Sequence, residues 1–158
     1  MIKTYKSDLL GESYTVKHHP SGVDIYVFPK KMTTSYALFA TNFGSVDDAL
    51  DEAGAVRLPD GIAHFLEHKL FAAPDGSDAF ERFSEYGADA NAYTSHTRTV
   101  YLFSTTDRFA DSFGELIDFV THPYFTDENV EKEQGLSRHI RISSAMIPCS
   151  FSTFSSVK

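Results

Sequence analysis

Apolar residues fall on alternate positions early in this chain and switch to a helical spacing later. Val23, Ile25 and Val27 alternate, as do Tyr36, Leu38 and Ala40. Two-residue spacing puts one set of side chains on one face of a strand. Three strands are therefore predicted, over ESYTVKHH, VDIYVFP and SYALFATNF, the first two joined by the turn signal Pro20-Ser21-Gly22. Residues 44–58 show no period and carry Asp47, Asp48, Asp51 and Glu52, which reads as a loop. A helix follows, with Asp60 as its predicted N-cap, and runs to about Phe71. PDG at 74–76 is a turn. A second helix spans Asp78 to Tyr86, with Phe80 and Phe83 on one face and Gly87 as its stop. NAYTS and RTVYLFS, within 91–104, read as two paired strands. A third helix covers Phe109 to Val120, with Phe109, Phe113, Leu116 and Val120 on its apolar stripe. His122-Pro123 breaks it, and a fourth helix starts near Thr126 or Asp127. The order βββ-αα-ββ-α-α predicts an α+β domain with helices on one face of a mostly antiparallel sheet.

Composition narrows the class without changing this outline. A chain of 158 residues, 42% apolar and 14% aromatic, is large enough for one packed domain. A net charge of -8 and a pI near 5.2 make a nucleic-acid partner unexpected. No apolar run is long enough for a membrane span, and the first residues lack the apolar core of a signal peptide. One cysteine, Cys149, allows neither an internal disulfide nor a cysteine-based zinc cage. A cytoplasmic location is the expectation.

The chemistry concentrates in PDGIAHFLEHKLF, residues 59–71. On a helix, positions 64, 67 and 68 share a face, because the third and fourth residues onward lie one turn above the first. His64 and His68 can then converge on one tetrahedral ion, as zinc requires. Glu67 sits beside the open coordination position and can take a proton from a water there. The spacing H-x-x-E-H is that of inverted zinc proteases. A helix with two surface histidines and an acid has the same spacing. The apolar flanks Ile62, Phe65, Leu66, Leu70 and Phe71 favour the metal, since they predict a buried helix whose ionisable groups need a partner. The other histidines read as ordinary: His18 and His19 at a strand end, His96 and His122 in loops.

Two further motifs add to the first. GIAHFLEHKLF, GADANAYTSHTRTVYLF and THPYFTDENVEKEQG, in that order, resemble the insulinase/pitrilysin-type zinc metallopeptidases, the inverzincins, in particular bacterial processing-protease-like members. The opening SGVDIYVFPKK and SYALFATNFGS fit as well, so the resemblance covers about residues 12–135. It implies that His64 and His68 are zinc ligands and Glu67 the general base. It implies that Asn91 and Ala92 lie on an edge strand that pairs with an extended peptide substrate. For Asn91 alone, a turn residue at a strand start is the other reading. The family is built from repeated α+β halves that enclose short polypeptides, so a peptide substrate and association with a further copy or partner are both implied.

The resemblance also implies a third ligand, a glutamate on a later helix, seven residues after the second glutamate of the EKEQG motif. That second glutamate is Glu133, a supporting acid near the catalytic site, and position 140 holds Ile140. From Gln134 to Lys158 there is no aspartate or glutamate, serine is frequent, and the helical period fades. Residues 1–135 are therefore read as an incomplete N-terminal metallopeptidase-like domain. Residues 136–158 are read as an atypical tail, disordered or out of frame, or a genuine replacement. Glu131, Glu133 or His139 could stand in for the lost ligand only in a shifted helix register. The functional expectation is zinc-dependent peptide hydrolysis, weak or absent in this chain by itself. A peptide-binding subunit without catalysis and a zinc-binding regulator are the competing readings.

Overall fold

The computed structural model describes residues 2–49, 57–74, 76–128 and 130–131. They divide into two compact units, one up to Thr33 and one from Thr34 onward. The α+β expectation holds, with two three-stranded antiparallel sheets in place of one.

The first unit is a meander of β1 (Ile2–Ser7), β2 (Glu12–His18) and β3 (Asp24–Val27). β1 was not expected, because IKTYKS carries little apolar signal. It is held by a full antiparallel register with β2, from Ile2 opposite Lys17 to Ser7 opposite Glu12. On one face Tyr5, Tyr14 and Phe28 stack in a row, with ring centroids 5.0 and 5.1 Å apart. His18 closes the β2–β3 turn against Asp24, and His19 bonds Ser21 at 2.7 Å. Both histidines are thus engaged locally.

The second unit holds β4 (Ser35–Thr41), α1 (Ile62–Leu70), α2 (Ala79–Glu85), β5 (Ala88–Thr94), β6 (Thr99–Thr105) and α3 (Phe109–Thr121). Its sheet order is β4-β6-β5, so β5 is an edge strand among the described residues. The inner face carries Ala37 and Phe39 of β4, Tyr101 and Phe103 of β6, and Ala88, Ala90 and Ala92 of β5. Leu70, Phe71, Phe83, Leu116, Phe119 and Val120 from the helices pack onto it. Phe103 is fully buried and Tyr101 nearly so. The small alanines of β5 leave room for α1 and α2 to approach the strand.

Two periods were read correctly, but Tyr36 and Leu38 of β4 face outward, and of the α3 stripe only Leu116 and Val120 are buried as expected. In β4 the inward residues are Ala37 and Phe39, while Tyr36 and Leu38 are exposed. In α3 the buried stripe is Ser112, Glu115, Leu116, Phe119 and Val120, while Phe109 and Phe113 are half exposed. Ser112 explains the rotation. Its side chain is small, fully buried and satisfied by Arg108 O at 3.2 Å, so the helix backs closely onto the sheet there. Phe109 leans on Phe103 from the rim and stacks on Phe113. In α2, likewise, Phe83 is buried while Phe80 is partly exposed and stacks on Phe71 at 4.2 Å.

The buried Glu115 of α3 meets Arg82 of α2 at 3.3 Å. Burial raises the Glu115 carboxyl above the ordinary value of 4.5, and Arg82 pulls it part of the way back. A carboxyl raised in the native state is neutralised there first as pH falls, which favours the fold on the acid side of that raised value. Glu115→Gln, already neutral, lacks this response. In paired melting curves, wild type should therefore gain on Glu115→Gln as pH is lowered from neutral towards about 4.5. A difference that stays constant across that window would contradict the assignment.

Candidate metal centre

α1 is anchored at both ends by apolar packing. Ile62, Phe65 and Leu66 cluster with Leu58 and Val130, and Leu70 joins the main core. The 127–131 segment is helical where described, and Val130 is the residue that seals it onto α1. A fourth helix starting near Thr126 or Asp127 is thus in place up to residue 131. Glu133, Ile140 and the whole of 136–158 lie outside the described residues, and so do the expectations placed on them. At its start α1 differs from expectation. The N-cap is Gly61 at φ 82, with no side-chain cap, so Asp60 does not fill that role. Only a glycine holds that left-handed backbone without strain.

This packing leaves one polar stripe. His64 and His68 are exposed, Glu67 is half-buried, and their α1 neighbours Ala63, Phe65, Leu66 and Lys69 are buried. The expectation that the histidines are buried and need a partner is therefore corrected: water reaches both rings. Their convergence is nevertheless direct. The two Nε2 atoms are 2.8 Å apart and the ring centroids 4.7 Å apart. Tetrahedral zinc with bonds of 2.0–2.1 Å separates two such nitrogens by ~3.3 Å, so a small ring rotation fits them to one ion. Two neutral imidazoles on neighbouring turns suit zinc as a donor set. Among the described residues no third His, Cys, Asp or Glu joins them in a group that could hold an ion, Glu131 included.

Glu67 is held by the sheet. Thr94, the last residue of β5, donates its hydroxyl to Glu67 Oε2 at 2.5 Å. Thr94 lies opposite Thr99 of β6, which lies opposite Thr41 of β4, giving a row of three threonines across the inner face. Thr99 donates to Phe43 O at 2.9 Å, tying the end of β4 to the same point. The Tyr101 hydroxyl is pushed to strongly raised values, first by burial and then by the charge of Glu67.

The edge-strand residues divide between the two faces. Ala92 is half-buried on the inner side with Thr94, while Asn91 is exposed on the other. Asn91 sits within β5 and its Oδ1 accepts from Ala92 N at 2.8 Å, so the turn-residue reading is set aside. His96 is exposed in the β5–β6 turn, and His122 sits at the end of α3 beside Asp118.

Comparison with known proteins gives this geometry a context. The family description "Insulinase (Peptidase family M16)" matches residues 31–145. This chain belongs to the insulinase family. It is 49% identical, over 140 residues, to the uncharacterized zinc protease YmfH of Bacillus subtilis. That match takes in 86% of this chain and 32% of the relative. It is 32% identical over 124 residues to the chloroplastic stromal processing peptidase of Arabidopsis thaliana, covering 72% of this chain and 9% of that protein. An M16-like peptidase from Alicyclobacillus acidocaldarius superposes with TM-score 0.73 at 43% identity, over 79% of this chain and 30% of that one. Pitrilysin shares the fold, with TM-score 0.65 over 84% of this chain and 14% of its own. The chain thus spans about a third or less of these proteins.

The polar stripe of His64, Glu67 and His68 was legible in the sequence, but Thr94, Thr99 and Tyr101 were not singled out. The alternation of β5 could have found Thr94, since it places residues 92 and 94 on the face that meets α1.

Proposed function

We propose that this chain carries the zinc-binding and proton-transfer half of a peptide hydrolase. The observation that carries this is the convergence of His64 and His68 Nε2 at 2.8 Å beside a tethered Glu67. His64 and His68 would hold the ion. Zinc bound there would lower the pKa of a bound water to about 7. Glu67, one turn along the same face, would be the carboxylate that takes up a proton and returns it to the leaving amine. The edge strand β5 supplies the peptide-binding element. Its outer side, which pairs with no strand among the described residues, can add an extended peptide as a further strand near Asn91 and Ala92, with Ala92 N passing from Asn91 Oδ1 to the peptide. Backbone pairing of this kind favours a class of substrate, unstructured peptide, over a particular sequence.

The resemblance puts Ile140 where the third ligand is expected, so this chain alone is proposed to bind zinc less tightly than a three-ligand site and to turn over peptide slowly. Zinc content by elemental analysis, read with chelator-sensitive cleavage of an unstructured peptide, tests the reading. About one zinc per chain with slow, chelator-sensitive cleavage supports it. Peptide binding with no zinc above background would replace it with a non-catalytic peptide-binding subunit. Zinc without peptide binding or cleavage would point to a regulator.

A further inference from the structure

We propose that Thr94 is a positioning residue for Glu67, holding the carboxylate by Oε2 and so fixing the direction in which it faces the site. The proposal deepens the reading of Glu67 as general base and rests on it. Its basis is a set of commitments among hydroxyl groups, each of which has one proton to give. The Thr94 proton goes to Glu67 Oε2 at 2.5 Å, and the Thr99 proton goes to Phe43 O at 2.9 Å. Thr94 and Thr99 approach each other at 3.4 Å, with both protons already directed elsewhere. The row is therefore a fixed donor rather than a proton relay. Thr94 is itself rigid, because it closes β5 in register with the buried Thr99. A β-branched side chain on a paired strand has few rotamers. Glu67, by contrast, is a long side chain on the half-open stripe of α1, with several rotamers to choose from. One charge-assisted bond from a rigid donor selects among them.

The test reads the Glu67 side chain directly and needs neither metal nor turnover. With ¹³C-labelled glutamate, the Glu67 signal is identified by its disappearance in Glu67→Gln. Three-bond couplings then report its χ angles. Wild type and Thr94→Ser should show single-rotamer couplings and one carboxyl shift. Thr94→Val, which keeps the shape and loses the donor, should show averaged couplings and a moved shift. Thr94→Ala serves if the valine variant does not fold. Single-rotamer couplings in Thr94→Val or Thr94→Ala, or averaged couplings already in wild type, would overturn the proposal. Where cleavage is measurable, kcat should fall about tenfold in Thr94→Val with KM within about twofold, and Thr94→Ser should restore it. Unchanged cleavage in Glu67→Gln would sink the general-base reading and leave the rotamer result standing. Loss of cleavage in Glu67→Gln with wild-type kcat in Thr94→Val would sink the positioning role alone.

Discussion

Glu67→Gln should keep the zinc of the wild-type chain and lose about 100-fold or more of its peptide cleavage, whereas His68→Ala should lose the zinc itself. The two substitutions should separate cleanly because the proposed roles of the two residues differ. His68 would share the ion with His64, since their Nε2 atoms lie 2.8 Å apart. Removing one of two imidazoles leaves a single neutral ligand, too few to retain a zinc ion through purification. Glu67 instead takes a hydrogen bond from the sheet, and a glutamine oxygen can still accept it from Thr94. The amide has no basic oxygen, so proton transfer is lost while the local shape is kept. Neither change should disturb folding much. His68 is exposed, and both residues lie on the open stripe of α1. Melting temperatures within a few degrees of wild type, together with zinc analysis of each variant, complete the measurement. Loss of zinc in Glu67→Gln would make Glu67 a ligand and reverse its assigned role.

The sequence showed this stripe because helical spacing fixes which residues share a face, whatever the rest of the fold does. It also showed β5 and β6, since NAYTS and RTVYLFS carry strand-forming residues on both sides of a short turn. What it could not show was phase. Tyr36 and Leu38 in β4 are as apolar as Ala37 and Phe39, so either face could have been the inner one. The choice is made by neighbours: Ala37 lies opposite Phe103 and Phe39 opposite Tyr101, the two buried aromatics of the central strand. The same holds for α3, where the small Ser112 rather than the large Phe113 marks the side of closest approach. β1 was missed because its stability comes from pairing with β2 more than from its own residues. Thr94 was passed over for a related reason. A threonine in a strand is ordinary until the helix opposite presents a carboxylate to it.

Gly44→Ala should be among the most damaging single-methyl additions in the described structure. A Cβ built on Gly44 would lie 2.5 Å from both Arg98 N and His96 O. Those are backbone atoms of the β5–β6 turn, and they cannot swing aside as a side-chain tip can. The contact is close because the chain leaving β4 is stitched to that turn. Ser45 N donates to Ser95 O and Val46 N to His96 O, both at 3.0 Å. Gly44 N is itself taken by Asp47 Oδ2 at 2.6 Å. Relieving the clash therefore means breaking one or both backbone bonds as well as absorbing the strain. Overpacking of this kind costs about 1–3 kcal/mol and each lost bond about 1 kcal/mol, so a loss of ~3 kcal/mol is expected. In a domain of this size that is a fall in Tm of roughly 10 °C. The damage should also reach Glu67, because Thr99 is tied to Phe43 O, one residue before Gly44, and Thr94 beside Thr99 holds Glu67. Gly22→Ala is the matched control: its Cβ meets nothing within 4 Å, and at φ 90 it carries only the cost of a left-handed backbone. If Gly44→Ala melts no lower than Gly22→Ala, the turn is looser than drawn, and the rigid support argued for Thr94 and Glu67 goes with it.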